Sequence, residues 1–205
     1  MSEHPSGIVL FAHGSGSSRF SPRNRRVARA LQAAGLATLL MDLLTPQEEQ
    51  VDALSGHLRF DIGLLADRLV LATDWVRTRQ GMQDTAIGYF GASTGGGAAL
   101  VAAAERPELV RAVVSRGGRP DLAGAALARV QAPTLLIVGG RDLPVIDMNQ
   151  DALRQLRSEA RLEIVPGATH LFEEPGTLDQ VADLARDWFL RHLIPNTRPE
   201  RRDAA

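Results

Sequence analysis

Gly91-Ala92-Ser93-Thr94-Gly95 sets a hydroxyl between two glycines, directly after the apolar run Ile87-Gly88-Tyr89-Phe90 and directly before a small-residue stretch that ends at Glu105. Gly-x-Ser-x-Gly between a strand and a helix holds a serine on a turn so sharp that the residues two before and two after it nearly collide, and glycine is what fits there. The strained serine then stands at a helix N-terminus, where free N–H groups and the helix dipole favour negative charge. That is the setting of an oxygen nucleophile. The rival assignments are a plain tight turn or a phosphate-binding loop. The chain contains no lysine, so the Walker A lysine that a phosphate loop would use is missing, as is Schiff-base chemistry.

A serine needs a base, and the base needs an orienting acid. Leu135-Leu136-Ile137-Val138 leads through Gly139-Gly140-Arg141 to Asp142, and Leu162-Glu163-Ile164-Val165 leads through Pro166-Gly167-Ala168-Thr169 to His170. Both residues follow predicted strands, at the carboxyl edge where the ligands of open α/β sheets collect. Ser93, Asp142 and His170 also follow the chain order of one serine-hydrolase architecture. The expected roles are Ser93 as nucleophile, His170 as general base and then acid, and Asp142 as the carboxylate that orients His170. Acyl transfer further needs preplaced donors for an oxyanion. The loop His13-Gly14-Ser15-Gly16, directly after the first predicted strand, and the residue after the nucleophile are the candidates, so the backbone N–H groups of Ser15 and Thr94 are expected to form the oxyanion hole. His13 is read as a brace for its own loop rather than a second base. His4, His57 and His192 are read as incidental, and Glu48 and Glu49 as solvated. No metal-ligand spacing is present.

The elements that must position these groups follow from apolar rhythm. Strands are expected at Ile8–Ala12, Ala37–Leu43, Thr85–Phe90, Val110–Ser115, Thr134–Val138 and Arg161–Val165. Between them run helix-like segments. Ser21-Pro22 reads as an N-cap with proline in the first turn, and Gly35 closes that helix. Ile62, Leu65, Leu69, Ala72 and Val76 form one apolar stripe ending before Gly81, and Leu178, Val181, Leu184, Ala185, Trp188 and Phe189 form another. Thr45 to Phe60 carries no such pattern and is expected to be a long functional or mobile connection beside the site. The fold class is therefore α/β: a minimal, mainly parallel sheet of about six strands with helices on both faces and no large lid domain. One domain is expected over residues 1–195, with 196–205 a loose tail.

Composition narrows the chemistry further. The 205 residues include no cysteine, which excludes disulfides, thiolate metal sites and a cysteine nucleophile. A net charge of −1 with scattered arginines argues against nucleic acid as a partner. The polar N-terminus and the lack of a membrane-length apolar run predict a cytoplasmic protein that neither crosses nor anchors in a membrane. No cofactor is expected.

With these motifs in place, the chain resembles the α/β-hydrolase superfamily from His13 to the last helix, and within it the dienelactone hydrolase-related group. The resemblance implies the same triad of Ser93, Asp142 and His170. One departure is clear: dienelactone hydrolase proper uses a cysteine, so the likeness supports fold and triad more than the named substrate. Some relatives of this kind are joined to phosphoribosyltransferase domains, and the chain shows neither room nor an acidic phosphoribosyl-diphosphate motif for one. The expected activity is cleavage of an ester, lactone or thioester of a small soluble substrate through an acyl-serine. The alternatives are an acyltransferase or perhydrolase on the same triad, and a non-catalytic ligand-binding protein on the same scaffold. Arg19, Arg116 and Arg141 each follow a predicted strand and could favour an anionic substrate; pairing with nearby acids such as Asp142, Asp121 or Glu173, or pointing into solvent, is the simpler expectation for them.

Overall fold

A computed structural model of the chain describes residues 5–194. Six strands, β1 (Ile8–Ala12), β2 (Ala37–Leu40), β3 (Ile87–Ala92), β4 (Val110–Arg116), β5 (Thr134–Gly139) and β6 (Ala160–Val165), form one sheet. Every pairing is parallel, in the order β2-β1-β3-β4-β5-β6. The chain runs outward from β1 to one edge and then crosses back to build β3 on the other side of β1. The carboxyl ends of β1 and β3 therefore flank the point where the strand order reverses, the place where open α/β sheets leave a crevice. Ala12 of β1 lies in register with Gly91 of β3, so the His13 loop and Ser93 leave the sheet side by side.

Helices cover both faces. Helices α3 (Ile62–Arg77), α4 (Thr94–Glu105) and α5 (Leu143–Gln155) pack on one face, with a 3-10 stretch at Pro120–Arg129. On the other face, α1 (Pro22–Ala33) and α6 (Thr177–Leu193) lie against each other and the sheet. Because both faces are covered, β1, β3 and β5 are buried along their whole length, which is why these strands read as continuous apolar runs rather than alternating ones. The apolar stripe expected for α3 is the side it presents to the sheet: Leu65, Leu69 and Val76 are buried. Ser21 caps α1 by accepting from the Asn24 N–H, as its sequence predicts. No helix among the described residues is long and apolar enough to cross a membrane.

Two expectations needed correction. β2 stops at Leu40 rather than Leu43, because the Leu43 N–H donates to His13 Nε2 at 3.1 Å and so leaves the ladder. Residues Thr45 to Phe60 are not an irregular connection: they form helix α2 (Pro46–Ser55) and a 3-10 turn at Leu58–Phe60. Apolar periodicity missed α2 because its one buried side chain is Asp52, while Val51 and Leu54 face solvent. The usable signal was in its caps. Thr45 Oγ1 accepts from the Glu48 N–H while the Glu48 carboxylate accepts from the Thr45 N–H, Pro46 opens the first turn, and Gly56 closes the helix in the left-handed conformation. The Thr45 N–H bond, helped by Arg68, holds the Glu48 carboxyl below the usual carboxylate range. Thr45→Ala is expected to lower stability by about 1 kcal/mol, read as a shifted denaturant midpoint at unchanged m-value. The tail expected at 196–205, and His4, lie outside the described residues.

Candidate active site

Ser93 occupies the bend between β3 and α4 with φ 52° and ψ −122°, a left-handed conformation that costs a side-chain-bearing residue of order 1–3 kcal/mol. Three backbone bonds enforce it. The Ser93 N–H donates to Arg116 O of the neighbouring strand at 3.2 Å, and the Ser93 carbonyl accepts from the N–H groups of Gly96 (2.9 Å) and Arg119 (3.0 Å). The flanking glycines are needed for lack of space. A Cβ on Gly95 would lie 2.2 Å from Ala12 O, and one on Gly91 would lie 2.5 Å from Gly95 O.

Asp142 is the N-cap residue of α5, yet its side chain makes no capping bond. Pro144, in the first turn, has no N–H to offer, which leaves the carboxylate free for another donor. That donor is His170, whose Nδ1–H bonds Asp142 Oδ2 at 2.6 Å. With Nδ1 carrying the proton, Nε2 is left as an acceptor, and it faces Ser93 Oγ at 3.4 Å. His170 must reach across the end of β4 to arrive there, and Gly117 makes the gap. Gly117 has φ +52°, and a Cβ on it would approach His170 O to 3.1 Å. Nothing in the sequence alone assigns Gly117 this role. A glycine directly after a predicted strand was the available signal, and it could not be interpreted without knowing which loop crosses above it.

The two expected oxyanion donors are neighbours, with a complication. Thr94 opens α4 directly after Ser93, and the Ser15 N–H donates to Thr94 Oγ1 at 2.9 Å. In the free protein that N–H is therefore already engaged. His13 braces the loop from below: its Nδ1–H bonds Gly14 O at 3.0 Å while its Nε2 receives the Leu43 N–H.

Beside Ser93 opens a cleft of about 590 Å3. Its wall begins at Thr94 and the His13–Ser18 loop and continues over Ser21 to Arg23, Leu43, Leu44, Glu49, Asp52, Arg59 and Leu65. Neither Ser93 nor His170 lines it. The segment that resisted assignment in sequence thus supplies one wall, through α2 and the turn that follows. Asp52 locks that wall, accepting from the N–H groups of Leu58 and Arg59 and from the Arg59 guanidinium. Glu48 points elsewhere, to Arg68, whereas Glu49 faces the cleft.

The arginines singled out in sequence are not brought together here. Arg19 is paired with Asp42 at 2.6 Å, Arg141 is exposed, and Arg116 is buried; none of them lines the cleft. An ion pair for Arg19 and solvent exposure for Arg141 are the simpler outcome, although the acids differ: Asp121 is held by Arg119 and Glu173 by Arg23. Arg23 and Arg59 are the arginines that do line the cleft, and nothing in their linear spacing marks them.

A family model described as the dienelactone hydrolase family matches residues 2–193. Among solved structures, the dienelactone hydrolase of Anabaena variabilis ATCC 29413 is 69% identical, with a TM-score of 0.91 over 93% of this chain and 88% of that one. The esterase domain of a Rhodothermus marinus protein superposes with a TM-score of 0.70 at 19% identity, over 94% of this chain and 90% of that one, a likeness of fold. Two curated proteins of Mycobacterium tuberculosis, from strains CDC 1551 / Oshkosh and H37Rv, are each 62% identical over 191 residues and carry the provisional name of a phosphoribosyl transferase. The match covers 93% of this chain but only 42% of theirs, so the chain spans less than half the length of these relatives.

Proposed function

The chain belongs to the dienelactone hydrolase family, and from that premise we propose that it is a serine hydrolase cleaving an ester, lactone or thioester of a small molecule through an acyl-serine intermediate. The observation that carries the proposal is the hydrogen-bonded series from Asp142 to His170 to Ser93, ending on a serine in a left-handed elbow. Ser93 Oγ attacks the substrate carbonyl carbon as His170 Nε2 takes its proton, and Asp142 stabilises the imidazolium that forms. The 3.4 Å approach of Nε2 to Oγ shortens when substrate fills the site. The oxyanion rests on the Thr94 and Ser15 N–H groups, and displaces the Thr94 hydroxyl from the latter. Collapse of the tetrahedral intermediate breaks the bond to the leaving group, which takes the proton from His170. Water then repeats the sequence on the acyl-serine and releases the acid. Each step is complete with the residues named, so the proposal includes no cofactor. It also includes a cytoplasmic location.

The transferase name of the mycobacterial relatives belongs to proteins of which this chain matches less than half. A fluorophosphonate probe tests the proposal. Intact-mass analysis is expected to show one adduct per chain, on the peptide containing Ser93, and a folded protein that resists the probe at high concentration overturns it. A panel of esters of increasing acyl length then locates the substrate class. Asp142→Asn, which keeps the shape of the side chain but inverts the donor–acceptor pattern toward His170 Nδ1, is expected to lower kcat about 10^4-fold with little change in KM.

A further inference from the structure

Arg116 is the least explained charged group in the molecule. It ends β4, directly beside the elbow, and is only 7% exposed. Its guanidinium makes one long hydrogen bond, from Nη2–H to Asn24 Oδ1 at 3.4 Å, and lies 5.8 Å from the centre of the Phe172 ring. Its Nε is buried without a partner. Among the described residues no carboxylate lies within ion-pair distance of it. Burial pulls its pKa down to about 10, and the neighbouring charge that adds to the shift is another cation, Arg23. A cation taken out of water without a counter-charge is strongly unfavourable, so the arrangement lacks a negative partner.

Two independent features point the same way. Arg23 also has a buried Nε with no partner, and its one acid, Glu173, meets it at 3.3 Å from a position 63% exposed, too solvated to neutralise a pair of cations. Arg23 and Asn24 further belong to the first turn of α1, which has no acidic residue although it is followed at once by Arg25 and Arg26. The helix dipole there already favours an anion. Three sources of positive potential converge on one spot between α1, the end of β4 and the Phe172 segment two residues past His170.

We propose that Arg116, Arg23 and Asn24 bind a small oxyanion, a phosphate or carboxylate group, which bridges the two guanidinium groups at the N-terminus of α1. Each guanidinium offers planar N–H forks matched to such an oxyanion. Arg23 also lines the cleft, so the group can arrive from that side, either free or as part of a larger molecule. The site stands on charge and burial alone and does not depend on the hydrolase proposal.

Inorganic phosphate is the probe. In a zwitterionic buffer, phosphate in hundredfold excess over its Kd is expected to raise the melting temperature by about 5–10 °C beyond chloride at matched ionic strength, with one site by titration calorimetry. Arg116→Met is expected to abolish the phosphate-specific rise. Arg23→Met is expected to weaken binding at least tenfold, and decides the matter if Arg116→Met does not fold. Arg25→Met, on the same turn, is expected to leave it unchanged. No excess over chloride, a rise that survives Arg116→Met, or a phosphate Kd unchanged in Arg23→Met overturns the site. The source of the oxyanion is read from competition. Phosphate that raises KM for a carboxylate-bearing aryl ester but not for its neutral counterpart assigns the site to a group on the substrate, and equal KM values assign it to a free ion. Calorimetry reports binding even if no ester is turned over, so failure of this site and failure of the hydrolase proposal are separable.

Discussion

Ser93→Ala is expected to remove turnover by at least 10^4-fold, and all labelling by a fluorophosphonate, without loss of folded protein. Removing the nucleophile of a serine triad leaves only binding and oxyanion stabilisation, because the three residues act as a unit and none substitutes for another. The fold is spared because the hydroxyl holds nothing structural: its one polar contact among the described residues is the 3.4 Å approach to His170. The elbow is held instead by the Ser93 N–H and carbonyl, which alanine retains. Alanine keeps the unfavourable φ of 52° as well, so its melting temperature is expected within a degree or two of the parent. Ser93→Gly separates strain from chemistry. It is expected to be equally inactive but more stable, by of order 1 kcal/mol, since glycine accepts this conformation freely and loses part of the gain to its unfolded-state entropy. Residual esterase activity in Ser93→Ala above one part in a thousand would place the nucleophile elsewhere.

Gly95→Ala is expected to be the most damaging single methyl in the molecule, costing about 3–5 kcal/mol in chemical unfolding. The added Cβ would sit 2.2 Å from Ala12 O and 2.6 Å from His13 O. Those atoms belong to the end of a fully buried strand and to a loop pinned by His13, so they cannot retreat as the tip of a flexible side chain would. Relief requires α4 to withdraw from the sheet, which also moves Ser93 and Thr94. Activity is therefore expected to fall together with stability. Gly63→Ala is the contrasting case: it stands in the first turn of α3 with Asp61 Oδ1 at 3.5 Å as its nearest neighbour, and is expected to gain up to about 1 kcal/mol from helix propensity. Equal effects at the two positions, measured by urea denaturation, would show that close packing at the elbow is not what Gly95 provides.

The two glycines also illustrate what was readable beforehand. Gly95 could be recognised from its neighbours in sequence, because Gly-x-Ser-x-Gly between a strand and a helix marks the elbow, although the atoms it makes room for, Ala12 O and His13 O, lie on β1 and its loop. The central strands were legible for a physical reason of their own. A strand buried on both faces must be apolar along its length, and that requirement shows in any short window of residues. Errors clustered where burial and polarity part company. Helix α2 buries Asp52 and exposes Leu54, so apolar spacing could not find it, although Thr45, Pro46, Glu48 and Gly56 spell out its two ends. β2 reads too long in sequence because Met41 and Leu43 extend its apolar residues across Asp42, and what takes the Leu43 N–H is His13, thirty residues away.

By itself the sequence determined that any nucleophile is an oxygen or nitrogen, that Ser93 stands at a strand-to-helix bend, and that Asp142 and His170 follow strands at the same edge of a parallel sheet. Each of these is set by local pattern: residue types present or absent, period, and the steric demands of a turn. Tertiary structure alone decided that His170 crosses β4 over Gly117, that Thr94 Oγ1 holds the Ser15 N–H, and that α2 walls the cleft. It alone also gathered Arg23 and Arg116 into one place, ninety-two positions from Asn24 to Arg116 along the chain. Charges and hydroxyls act over a few ångströms of space, and which of them meet depends on the order in which strands are laid into the sheet, a quantity that no short window of sequence contains.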